Sequence, residues 1–441
     1  MQALLSFDQA PPISAPMRYF LTAPLFAILA GVLILYTGPD IFASRWTPAA
    51  LALTHLITAG FMLQVMFGAM QQLLPVAVGA NFPRPLLTAT LVHGTITLGA
   101  LLLAAAFLTF EPLLFGAAVA CLAAGMTLFV VAAATALRGM VSTNPTVLGF
   151  KLALLGLGVT VLSGLLLAVS LGWQLDLPLL QLTDLHLGWG FMVWTCILVV
   201  AVAFVTVPMF QLTPAYPVWF SRSFAVVVLV AVAMWTLADL TGLTVPAALL
   251  ATVLVVLAAV FSWVTLRILG QSKRAKRDAS HRLWTVSMCS ALVACALWLA
   301  ARFIDPVGQW QGWPLLFGVL LLMGCFMSVM VGMLYKIVPF LVWLHLQNLG
   351  RGHVKAPNMK KVLPQAQIDR QMLAHLLALA LLLMSVIWPR WFVYPAGLAL
   401  ILTSVWLWFN LLCATAVYRS QRSQIGIAVA SADREQRESA C

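Results

Sequence analysis

Charge is what this sequence has least of. Only 8% of its 441 residues are Asp, Glu, Lys or Arg, against about 25% in an ordinary soluble domain, and that shortage excludes a water-soluble module. There are 12 acidic residues, and no two of them pair inside an apolar run, which removes the usual device of an ion-coupled pump. The glycine patterns of nucleotide-binding loops and nucleophile elbows are missing: there is no Walker loop, no Gly-x-Gly-x-x-Gly and no Gly-x-Ser-x-Gly. The seven cysteines contain no Cys-x-x-Cys, and six of them fall in apolar runs. Neither a disulfide framework nor a zinc site is indicated, and small apolar packing residues are the plain reading. The ten-residue alternating segments of a membrane barrel are absent as well.

What the sequence has is apolar length. Hydrophobic residues make up 63% and the mean hydropathy is +1.03. Apolar runs cover 17–38, 48–76, 83–110, 113–135, 147–171, 184–209, 220–242, 246–268, 283–302, 313–346, 368–389 and 391–413, each long enough to cross about 30 Å of hydrocarbon as a helix. The expected fold class is all-α, a polytopic bundle of about twelve transmembrane helices in the lipid bilayer. A short segment 1–16 precedes the single transmembrane domain 17–418, and a tail 419–441 follows it. The first run is too long for a cleaved signal peptide, and no small-residue cleavage site follows it.

Basic residues set the orientation. With the N-terminus inside, outer loops hold Arg45, Arg302 and Arg390, while 21 of the 24 Lys and Arg lie on the inner side, including 271–277 and the cluster from Arg351 to Arg370. Both termini are then cytoplasmic, and the expected location is a bacterial-type inner membrane. The net charge of +12 needs no nucleic acid, because anionic lipid at the inner surface accounts for it.

Two of the runs share a frame. Residues 59–76 and 323–340 align without a gap, matching Gly60 to Gly324, Val65 to Val329, Met66 to Met330, Gly68 to Gly332 and Pro75 to Pro339. The sixth run repeats a Gly-Phe-Met at 190–192 and a late Pro208, with its proline three residues out of step. Runs two, six and ten are four apart, so the chain reads as three four-helix units meeting at those helices, unless apolar composition has produced the matches by chance.

In layout the chain resembles heme-copper oxidase subunit I. Thr-His-Leu at 54–56 with Gly-Phe-Met at 60–62, and the segment GMLYKIVPF at 332–340, are also similar to the oxidase-like nitric-oxide-response membrane proteins called NnrS. The resemblance implies metal ligands on the outer halves of helices two and six, where His55 and His186 stand. It also implies an arginine near heme propionates in the loop after helix eleven, where Arg390 stands alone in IWPRWF. The departures are large. The outer half of the tenth run has no histidine, 220–242 has none, and Gly190 stands where the oxidases' cross-linked tyrosine would follow His186. One heme at most is expected, without an oxygen-reducing centre.

Each candidate also has a plain reading. His55 sits in hydrocarbon, where an imidazole finds a neighbour's hydrogen bond, a cavity or a metal. His186 follows Asp184 and precedes Trp189 at the membrane boundary, which suits an interfacial residue as well as a ligand. His93, beside Gly94, competes with it as the second axial ligand. Met62, Met66 and Met70 fall on the His55 face at 100° per residue, as a soft copper or heme ligand set or as adaptable packing. Arg390 between Trp388 and Trp391 is either a propionate partner or a snorkelling interface residue. Lys336 is a proton-path candidate that can snorkel. Those residues leave two classes of function: a heme- or copper-binding protein in nitric oxide or metal handling or electron transfer, with an electron-transfer partner, or a transporter or assembly factor whose helices break near Pro75, Pro208 and Pro339.

Overall fold

The computed structural model describes residues 9–350, 354 and 356–440. Arg351, His353 and Lys355 of the inner basic cluster, and Cys441, lie outside the described residues. Twelve helices long and apolar enough to cross a membrane follow one another: α1 Ser14–Phe42, α2 Pro48–Val78, α3 Pro85–Thr109, α4 Pro112–Ala136, α5 Pro145–Trp173, α6 Leu179–Gln211, α7 Val218–Leu240, α8 Thr244–Gly270, α9 Ala279–Phe303, α10 Trp313–Leu349, α11 Gln365–Ile387 and α12 Pro389–Val429. No strand occurs among the described residues. The starts are written locally. Proline opens α2, α3, α4, α5 and α12, where its missing N–H is not needed. Thr47, Asn144 and Asp278 accept a backbone N–H from the first turns of α2, α5 and α9. Helical structure continues past Val429 to Ala440, so most of the expected tail is helix.

The helices close into a ring of three units. Within each unit the second helix packs on the first, α2 on α1, α6 on α5 and α10 on α9, and the units join where α4 meets α5, α8 meets α9 and α12 returns to α1. The middles of α2, α6 and α10 are the most buried, at 67%, 61% and 61%, against 17% for α8. Those three helices form the centre, as the shared frame led us to expect.

The structure also corrects the frame. Each central helix contains a π-helical stretch, Leu56–Met62, Trp189–Cys196 and Leu320–Met327, and in each a proline stands nineteen residues after the first π residue, at Pro75, Pro208 and Pro339. The Gly-Phe-Met at 190–192 is therefore out of register with 60–62 by three residues. In the corrected register Val65, Leu198 and Val329 are equivalent, as are Met66, Val199 and Met330, and Ala69, Val202 and Met333. All nine line one central cavity of about 60 Å³. The helices run unbroken through the three prolines, so the expected breaks at those positions are absent.

Close approach holds each pair, in the way apolar helices associate when lipid supplies no hydrophobic drive. A methyl on Gly68 of α2 would meet Phe20 of α1 at 2.7 Å, and one on Gly324 of α10 would meet Ser290 of α9 at 2.7 Å. In the middle unit the roles swap. The glycines are on α5, where Gly149 and Gly156 receive Ala201 and Val193 of α6, the residues equivalent to Gly68 and Gly60. Gly94, expected to admit a neighbour, has nothing within 4 Å.

At the end of the bundle where α2 finishes and α9 begins, Asp278 caps α9 and binds the Lys336 ammonium at 2.5 Å and Arg274 at 3.3 Å. Arg274 in turn donates to the Phe210 carbonyl at the end of α6. Lys336 is thus one member of an ion-pair cluster tying α6, α9 and α10 together.

Candidate functional site

His55 ends the last ordinary turn of α2 before its π stretch, and His186 lies one turn before that of α6. Such insertions alter the facing of side chains and recur at functional positions. Here they leave the two imidazoles side by side, with ring centroids 6.4 Å apart and planes 19° from parallel. Phe107 of α3 packs against His55 with ring centroids 4.8 Å apart.

Both rings are held through the same nitrogen. His55 Nδ1 donates to the Leu51 carbonyl of its own helix at 2.8 Å, and His186 Nδ1 donates to the Thr160 carbonyl of α5 at 2.9 Å, with Ser163 Oγ at 3.4 Å. A carbonyl can only accept, so in each neutral ring the proton sits on Nδ1 and Nε2 carries the lone pair. Metal-binding histidines are oriented in this manner. Gly164 makes room for the second ring: a methyl there would lie 2.7 Å from His186 Cε1 and 3.1 Å from Nδ1.

The other candidates lie elsewhere. His93 is fourteen residues before Phe107 on α3, or about 21 Å along the helix from the level of His55, and its Nε2 pairs with Thr22 Oγ1 at 2.8 Å. That distance removes it as a shared ligand. Arg390 is exposed at the start of α12 beside the exposed Trp391, the snorkelling arrangement. Met62 is buried within the π stretch. Met66 and Met70 line the central cavity, whose wall does not include His55. The expectation that they share its face fails because the π stretch adds about one residue, and about 100° of rotation, between them. His375 pairs with Ser328 Oγ at 2.9 Å, His281 with the Leu269 carbonyl at 3.1 Å, and His345 with the carbonyls of Leu341 and Pro11 at 2.9 Å.

The 6.4 Å between the ring centroids can be set against the span of an ion bridging two imidazoles. A metal about 2 Å from each Nε2, with half an imidazole ring beyond on either side, separates two ring centres by about 6 Å when the nitrogens face it from opposite sides. Neither the central cavity of about 60 Å³ nor a second of about 130 Å³, between α1, α2, α10, α11 and α12, has His55 or His186 in its wall. No cluster of three or more His, Cys, Asp or Glu side chains suited to a metal occurs among the described residues.

Sequence reasoning ranked His186 first among partners for His55 but had no sign of Gly164, Thr160 or Phe107, which shape the site from α5 and α3. The clue available in the sequence was a glycine on the helix before His186. No family model matches the chain, and no curated protein is significantly similar to it.

Proposed function

We propose that this is an oxidase-like inner-membrane protein that holds one copper ion between His55 and His186, toward the outer face, and works in metal handling. The observation that carries the reading is the pair of near-parallel imidazoles 6.4 Å apart on different helices, each tied at Nδ1 to a carbonyl. Two neutral nitrogen donors without a carboxylate favour Cu(I), which accepts a low coordination number, over zinc, which takes four ligands. A copper ion held by two imidazoles retains an open side for a small ligand or for exchange of the ion with a partner protein, and the likeness to NnrS extends this role to nitric oxide response.

The test is Cu(I) titration of the purified protein against a competing chelator, with X-ray absorption on the loaded protein. We expect a two-nitrogen copper signature that disappears in His55→Ala and in His186→Ala and persists in His93→Ala. Retention of that nitrogen shell in the His55→Ala/His186→Ala double variant would overturn the assignment, and a Soret band abolished by His55→Ala would restore the heme reading.

A further inference from the structure

We infer that the central cavity is a second metal site, built for a soft monovalent cation such as Cu(I) or Ag(I) and independent of the histidine pair. Four methionines line it, Met66 and Met70 from α2 and Met330 and Met333 from α10, together with Trp284 of α9 and aliphatic side chains of α2, α6 and α10. Met66 and Met330 are equivalent in the register set by the π stretches and the prolines, so they stand at one level around the central axis, with Val199 of α6 as the third equivalent position. The cavity begins ten residues beyond His55 on α2, at Val65, about 15 Å along the helix.

Methionine in a core ordinarily serves as an adaptable filler. Here four of them line a space of about 60 Å³ that they leave unfilled, enough for water by size alone. Water gains nothing there, because the Trp284 indole is the sole nitrogen or oxygen group in the wall, and its N–H is turned onto Met333 Sδ at 3.2 Å. Hard cations need oxygen ligands and find none in this wall. Thioethers bind Cu(I) and its congeners, and an indole in the same wall adds attraction for a cation. With no anionic group lining the cavity, a single positive charge is the most it can hold.

Three proteins in detergent settle it when titrated with Cu(I), and separately with Ag(I), against a competing chelator: the wild type, Met66→Leu/Met330→Leu, and His55→Ala/His186→Ala. Leucine preserves volume and so preserves packing. The histidine variant should keep one equivalent with a sulfur-only shell by X-ray absorption. The methionine variant should lose that equivalent, with affinity down 100-fold or more. Val199→Phe fills the cavity and leaves all four thioethers in place, and should abolish the same equivalent. Absence of any bound Ag(I) or Cu(I) in the histidine variant overturns the proposal, as does a sulfur shell that survives Met66→Leu/Met330→Leu. A wild type that binds one equivalent, lost only in the methionine variant, supports this site and refutes copper at the histidines.

Discussion

Replacing Gly164 by alanine perturbs the histidine pair without altering either histidine. The new methyl would stand 2.7 Å from His186 Cε1 and 3.1 Å from Nδ1, whereas carbon contacts settle at about 3.5–4.0 Å. The imidazole must therefore retreat by about 1 Å. That movement stretches the 2.9 Å bond to the Thr160 carbonyl beyond hydrogen-bonding range and releases the tautomer it fixes. Metal sites tolerate errors of only about 0.2 Å in ligand distance, and loss of an orienting partner weakens binding about 10–100-fold. Gly164→Ala should thus lower Cu(I) affinity at the two-nitrogen site by about 10–100-fold, or about 1.4–2.7 kcal/mol, while leaving the thermal unfolding midpoint in detergent close to wild type. Gly158→Ala on the same helix meets nothing within 4 Å and serves as the control. Unchanged affinity in Gly164→Ala, or an equal loss in Gly158→Ala, would refute the claim that α5 positions His186.

Other perturbations separate packing from electrostatics. Gly68→Ala drives a methyl into Phe20 at 2.7 Å and Tyr19 at 3.0 Å and should reduce stability by about 1–3 kcal/mol; Gly94→Ala faces open space and should be neutral or slightly stabilising, so equal melting shifts would contradict the central packing. Burial alone would raise the Asp278 carboxyl, but the hydrogen bond and charge of Lys336, the His281 amide and Arg274 outweigh it and hold the group below the usual carboxylate range. A carboxylate depressed in the folded state stabilises above its unfolded value and loses that contribution as pH falls through its folded value. Melting temperature should therefore drop with acid below about pH 4, and Asp278→Asn, which still caps α9, should remove about 1–3 kcal/mol at neutral pH and flatten the acid drop; an identical acid profile in the variant would show that this pair does not couple to folding.

Much of the architecture was legible because bilayer thickness and hydrocarbon solvent leave few choices. Every apolar run became one helix, and the pairing of Gly68 with Gly332 and of Pro75 with Pro339 correctly marked α2 and α10 as central. The middle unit was harder to read. Its small residues moved from α6 to α5, where Gly149 and Gly156 take the contacts that Gly68 and Gly60 make from the central helix in the first unit. The interface is conserved in shape while the glycines change sides, so matching α6 against α2 by its glycines chose Gly190 and missed the register by three residues. Gly164 was invisible for a related reason: a glycine in an apolar helix announces a close approach without naming what approaches.

The nearness of His55 and His186 was legible in the sequence while the facing of the methionines was not, and the π stretches explain the difference. A periodicity of 100° per residue carries a side chain's direction reliably only along an unbroken α-helix. Leu56–Met62 intervenes between His55 and Met66, so one pattern that looked like a mixed imidazole and thioether face is two faces, one meeting α6 near the end where α2 begins and one meeting α6 and α10 at the centre. No residue in 56–62 distinguishes a π turn from an α turn by composition alone. The signal that does exist is comparative and internal: the same insertion recurs nineteen residues before each central proline. A threefold repeat of an irregularity is strong evidence that the three helices face the axis alike. The histidines and the methionines therefore stand about 16 Å apart along α2, and if each set binds metal as proposed, variants of one should leave binding at the other unchanged.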